Sequence, residues 1–131
     1  MEAPFKVTGI DHVVFHVKDL LGAKKFYIDF LGMTLEHESS WQCFLKCGTQ
    51  GIALFEVDDD EDVHGGSEVN HMALRLAAGN YEEVKATLQN AGIEVHGRKS
   101  DPRCVYFHDP DGHKLQLLMP ENKTCDSPPV P

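Results

Sequence analysis

Along the chain, stretches of alternating apolar and polar residues give way twice to stretches with apolar residues three and four apart. The alternation, with its β-branched and aromatic residues and the turn residues between, predicts strands over 8–17, 41–46, 51–57, 69–76, 104–108 and 114–119. The two exceptions predict helices. In "LLGAKKFYIDFLG", Leu20, Lys24, Tyr27 and Leu31 keep the helical spacing behind Asp19, and in "NYEEVKATLQNAG" so do Tyr81, Val84, Leu88 and Ala91 behind Asn80. Gly32 and Gly92 stand where a left-handed helix stop belongs.

Set side by side, the two helical stretches expose an internal duplication. "IDHVVFHV", a helix and "LGMTLE" match "VNHMALRL", a helix and "AGIEV", with 20 positions from His12 to Gly32 and 21 from His71 to Gly92. Two further strands follow in each half, "QCFLK" and "GIALFEV" in the first, "CVYFH" and "KLQLLM" in the second. The unit is a repeated βαβββ module, so the expected class is α+β. One domain, 1–131, is expected to contain module one at about 8–57, module two at about 69–119 and a mobile tail at 121–131.

Strand parity assigns each residue a face. His12, Val14 and His16 share one side of the strand at 8–17; His71, Ala73 and Arg75 share one side of the strand at 69–76; Lys114, Gln116 and Leu118 share one side of the strand at 114–119. Each opposite side is apolar and suited to lie under a helix. The two modules are therefore expected to curve their sheets into an open cup lined with imidazole and amide. Gln116 is notable as the one amide in the strand "KLQLLM".

Composition narrows the function classes. The formal net charge is −9, from 21 acidic and 12 basic residues, which argues against holding a phosphate backbone. No nucleic-acid partner is expected. The absence of a long apolar run or a secretion pattern leads to the expectation of a cytoplasmic protein with no membrane partner. Four cysteines, at 43, 47, 104 and 125, lack metal-binding spacing and are expected to be free thiols in a reducing compartment. The acidic stretch "EVDDDEDVHGG" lacks the spacing of a calcium loop and reads as a solvated loop.

Candidate chemistry gathers on the polar faces. His12 and His71 occupy one position in the two copies, and two imidazoles with an amide or carboxylate oxygen can hold a divalent first-row metal. His16 and Arg75 stand four residues further on, where an imidazole can move a proton and a guanidinium can hold an anion. Trp41, Phe44 and Tyr106 either wall a pocket or pack in the core.

The two strand starts with His before an apolar residue, the helix end "FYIDFLGM" and above all "VYFHDPDGHKLQLL" resemble the vicinal oxygen chelate superfamily. This group includes glyoxalases, fosfomycin-resistance enzymes, extradiol dioxygenases, methylmalonyl-CoA epimerase and bleomycin-resistance proteins. The resemblance implies the glyoxalase/bleomycin-resistance/dioxygenase fold, a homodimer, and one divalent metal ion (Mn, Fe, Ni, Zn or Mg). The metal would lie on His12, His71 and position 116. Glutamate is usual at 116, and Gln116 either remains a ligand of lower charge or marks an empty site. Aligning "IALF" with "LQLL" sets Ala53 opposite Gln116, so a fourth ligand is missing, as in the fosfomycin-resistance branch. That branch carries hydroxyl residues where this chain has Val14 and Cys104, matches it at Tyr106, and leaves Lys99 and Arg103 as possible anion holders.

The resulting expectation is a divalent-metal-dependent enzyme that acts on a small oxygen-chelating substrate. His16, Glu56 or Tyr106 would move protons, Glu56 only if a bulge shifts its register. The alternative is a metal-free small-molecule-binding protein of the bleomycin-resistance type.

Overall fold

Asp19 and Asn80 begin the two helices as their positions predict. The structure, a computed structural model, describes residues 3–6, 8–58, 69–97 and 105–120. Cys104, Cys125, Lys99, Arg103, the acidic residues 59–68 and the tail 121–131 lie outside the described residues. Asp19 Oδ1 accepts from the Gly22 N–H at 3.2 Å ahead of α1 (Leu20–Lys25), and Asn80 Oδ1 accepts from Glu83 N–H at 3.0 Å ahead of α2 (Tyr81–Asn90). These side chains satisfy N–H groups that a helix start leaves without partners. Gly32 and Gly92 have φ of 78° and 79°, the left-handed conformation expected of each.

The chain divides into two compact units, Met1–Val63 and His64–Pro131. In the first, β1 (His12–Val17), β2 (Thr34–Glu38), β3 (Gln42–Cys47) and β4 (Gln50–Glu56) form one sheet in the order β1-β4-β3-β2. β1 runs parallel to β4, and the other pairs are antiparallel. In the second, β5 (Met72–Arg75), β6 (Val105–His108) and β7 (Lys114–Leu118) follow the order β5-β7-β6, again with a parallel first pair. The α+β class and the repeat are thus visible in topology as well as in sequence.

Where the copies differ, local bonding accounts for it. The "AGIEV" segment enters the second sheet at a single bridge, His96 exchanging bonds of 2.8 and 2.9 Å with Tyr106. Its earlier part is committed to closing the helix, because Ile93 N–H donates to Leu88 C=O at 3.0 Å. In the first unit the helix does not keep the expected stripe of Leu20, Lys24, Tyr27 and Leu31. A π-helical turn at Phe26–Phe30 widens the backbone, Leu31 N–H donating five residues back to Phe26 C=O at 3.0 Å. Of that stripe Tyr27 alone is buried, joined by Ala23, while Leu20 and Leu31 are half-buried and Lys24 pairs with Glu38 of β2 at 2.7 Å.

Beneath α1, which packs on β3 and β4, lie Phe15, Val17, Cys43, Leu45, Ile52 and Leu54. They share one face by register: Phe15 and Cys43 both pair with Leu54, and Leu45 pairs with Ile52. Cys43 is a free thiol and Cys47 another, and burial pushes both above the ordinary thiol range. They stay protonated and unreactive at neutral pH. No helix among the described residues is long and apolar enough to cross a membrane.

Candidate metal centre

Sheet register sets the repeat-equivalent positions in correspondence. Val14 pairs with Ala53 in the first unit and Ala73 with Gln116 in the second, each two residues beyond its histidine. Ala53 therefore holds the place of Gln116, as the alignment of the two strands predicts. Phe44 pairs with Ala53 as Tyr106 does with Gln116, so the aromatic residues correspond too.

The histidines are held alike. Asp11 Oδ2 lies 2.7 Å from His12 Nδ1, and Asn70 Oδ1 lies 2.8 Å from His71 Nδ1. The Phe44 ring meets His12 edge to face at 5.4 Å between centroids, and Tyr106 meets His71 likewise at 5.3 Å. In each unit an oxygen from the preceding residue anchors Nδ1 and an aromatic ring fixes the tilt, which leaves Nε2 as the donor. Gly51, beside His12 in register, allows this strand approach. A Cβ there would meet the Leu45 carbonyl oxygen at 2.9 Å and His12 Cβ at 3.7 Å.

The second unit completes a donor pair. His71 Nε2 lies 3.0 Å from Gln116 Oε1, and Gln116 is fully buried. With Nδ1–H donating to Asn70, a neutral His71 turns the Nε2 lone pair toward an oxygen that is itself an acceptor. An imidazolium donating from both nitrogens, an Nε2–H tautomer with the Asn70 amide turned to donate to Nδ1, or a cation shared by the two lone pairs each satisfies this arrangement. An imidazole nitrogen and an amide oxygen suit a divalent metal, so these residues fit the ion that the fold implies. Among the described residues no three His, Cys, Asp or Glu side chains converge; the Gln116 amide is outside that set.

Tyr106 is brought to this pair: it is 6% exposed and on the Gln116 face of the sheet. His16 is on the His12 face of β1, two positions beyond Val14, and is exposed. Glu56 is not brought to that face. The β4 register runs unbroken from Gly51 to Glu56, with no bulge, so Glu56 pairs with Val17 on the helix side. There its Oε2 accepts from the Leu20 N–H at 2.9 Å. The bulge that would turn Glu56 toward the histidine is absent, and the carboxylate is a partner for the start of α1. Arg75 donates to the Met119 carbonyl at 2.9 Å. Trp41 is half exposed and packs edge to face on Phe55 at 5.1 Å.

The turn between β6 and β7 holds this face in register. Asp109 Oδ1 accepts from Asp111 N–H at 3.0 Å and His113 N–H at 2.8 Å, and Oδ2 lies 2.8 Å from His113 Nδ1. Gly112 takes φ of 90° to close the turn. The "DPDGH" motif thereby sets Tyr106 opposite Gln116 and His108 opposite Lys114. Against that face lies an open cleft of about 480 Å³, bordered by His71, His96, Tyr106, His108 and Lys114 together with Asn70 and Gly97.

The model of the Glyoxalase/Bleomycin resistance protein/Dioxygenase superfamily matches residues 9–117. The chain belongs to this superfamily. It is 31% identical over 111 residues to the glutathione transferase FosA of Serratia marcescens, covering 83% of this chain and 79% of that one. It is 30% identical over 115 residues to the metallothiol transferase FosB of Staphylococcus saprophyticus, covering 85% and 76%. The crystal structure of a glyoxalase family protein from Enterococcus faecalis is similar at a TM-score of 0.66 and 27% identity, covering 83% and 95%.

Sequence reasoning about this superfamily member did not single out Asp11 and Asn70, although "DH" and "NH" recur in the repeats. Asn70→Ala is expected to weaken divalent-metal binding by about 10- to 100-fold, because the imidazole loses the bond that orients it. A competition titration against a chromophoric chelator would measure this; unchanged affinity would show that Asn70 does not orient the ligand.

Proposed function

We propose that this protein is a divalent-metal-dependent enzyme that acts on a small substrate offering adjacent oxygens. The observation that carries the reading is the pair of His71 Nε2 and Gln116 Oε1 at 3.0 Å, with the opposite ring nitrogen already committed to Asn70. His71 and Gln116 would hold the ion, with His12, the same position of the first repeat, as a further ligand from the same or a second copy of the chain. The ion would supply Lewis-acid stabilisation of negative charge on substrate oxygens, and a neutral amide at 116 leaves it more of its positive charge.

The chain's own residues do the remainder. Tyr106, against the His71 ring, presents its ring and hydroxyl to substrate in the cleft, and His16 is the group suited to take or return a proton. Membership of the superfamily and the similarity to the two transferases support an enzyme. By analogy with this superfamily, a dimer is the expected assembly.

The test is metal content by elemental mass spectrometry, with Mn, Fe, Ni, Zn and Mg offered in separate titrations. Near-stoichiometric binding is expected, lost in both His12→Ala and His71→Ala. Binding no higher than background would overturn the reading in favour of a metal-free small-molecule-binding protein.

A further inference from the structure

The sign of charge on the Gln116 face runs against that of the molecule. The chain carries 21 acidic and 12 basic residues. Yet the strand residues that share this face by register, Ala73 and Arg75, Tyr106 and His108, Lys114, Gln116 and Leu118, include no carboxylate. Nor, among the described residues, do those bordering the cleft. The amide at 116 contributes to this: a glutamate there would place an anion 3.0 Å from His71, which borders the cleft.

The cationic groups are also placed by contacts. Lys114 Nζ sits 4.8 Å from the centre of the Tyr106 ring, and makes no ion pair with a described carboxylate. The ring face positions the ammonium without neutralising it. His96 and His108 meet edge to face at 6.0 Å, and His96 is tied into the sheet by its bridge to Tyr106. Glu94 is the one described carboxylate recorded beside these rings, 3.7 Å from His96 Nε2, and its side chain is 83% exposed. Water screens a charge so placed.

We infer that this cleft is an oxyanion subsite, in which Lys114 and the ring N–H groups of His96 and His108 receive a phosphoryl or carboxylate group of the substrate. The inference rests on the proposed function, since it takes the cleft beside His71 and Gln116 as the place where substrate lies. It deepens that reading by giving the substrate an anionic end. An ammonium and two imidazole donors supply charge-assisted hydrogen bonds to such a group, and an amide rather than a carboxylate at 116, beside His71, avoids repelling it.

The test uses the full chain stripped of metal with a chelator, so that it does not depend on metal binding. Inorganic phosphate, acetate and chloride are titrated separately at constant ionic strength, and the imidazole signals are followed by histidine-selective NMR. Phosphate is expected to shift the His96 and His108 signals together and to saturate. Lys114→Gln should weaken this at least about tenfold; Lys114→Arg should retain it, and Lys46→Gln, a lysine of the first unit, should leave it unchanged. Should Lys114→Gln fail to fold, His108→Gln carries the same expectation.

Phosphate binding without acetate binding would assign a phosphoryl group, and acetate binding with or without phosphate a carboxylate-accepting site; either supports the subsite. Shifts no larger than those with chloride, or undiminished phosphate binding in the folded variants, would overturn it. Such a failure leaves the metal-binding reading, tested separately by metal content, intact. Loss of the metal reading with phosphate still bound would separate the two in the other direction.

Discussion

Gln116→Glu is expected to raise the affinity for a divalent cation by about 10- to 100-fold while destabilising the metal-free protein by about 2 kcal/mol. Both effects come from one added charge. With a cation bound, a carboxylate beside His71 Nε2 replaces an amide dipole with a full negative ligand. Without the cation, the same carboxylate is confined at a position that is 0% exposed. Its charged form loses hydration there, and a hydrogen bond from the His71 ring 3.0 Å away offsets this only in part. Metal should consequently raise the unfolding free energy of the variant by more than that of the native chain, since ligand stabilisation grows with affinity. Urea unfolding in chelator and in saturating metal, together with a competition titration, would measure the two halves. Equal metal affinity in both proteins would remove Gln116 from the ligand set.

Asp109→Ala is expected to lower the unfolding free energy by about 3 kcal/mol. The Asp109 side chain is 0% exposed and joins two backbone N–H groups and the His113 ring. Alanine would leave those buried donors without this acceptor, a cost of about 1–3 kcal/mol for each group that finds no other partner. Asp109→Asn keeps an oxygen for the backbone and should lose less. Because this turn sets Tyr106 opposite Gln116, the alanine variant should also bind metal less tightly. Chemical denaturation would measure the stability. A loss under about 0.5 kcal/mol would show that the backbone preferences of Pro110 and Gly112 hold the turn by themselves.

These two positions show how differently parts of the site are legible. "DPDGH" is local: the bonds that Asp109 makes to Asp111 and His113 reach no more than four residues along the chain, so spacing and residue type announce the turn. The neighbourhood of Gln116 is not local. Its partner His71 is 45 residues away, and their approach depends on the parallel register of β5 with β7. Parity correctly groups Lys114 with Gln116, yet it says nothing of the Tyr106 ring beneath the ammonium. Glu56 shows the limit most plainly. Its place at the end of an apolar strand suits either a reserve base or a loop entrance, and only the unbroken pairing with β1 sets it toward Leu20.

By itself the sequence determined the duplication, the α+β class, the helix caps at Asp19 and Asn80, the glycine stops and the pairing of His12 with His71 as equivalents. All follow from periodicity and from interactions within a few residues, where backbone geometry leaves few choices. The tertiary structure decided the orientation of the histidines by Asp11 and Asn70, the approach of His71 to Gln116, the helix side of Glu56 and, among the described residues, the acid-free lining of the cleft. Pattern and composition average over the chain, whereas hydrogen bonds and local charge depend on which distant strands are paired and in what register.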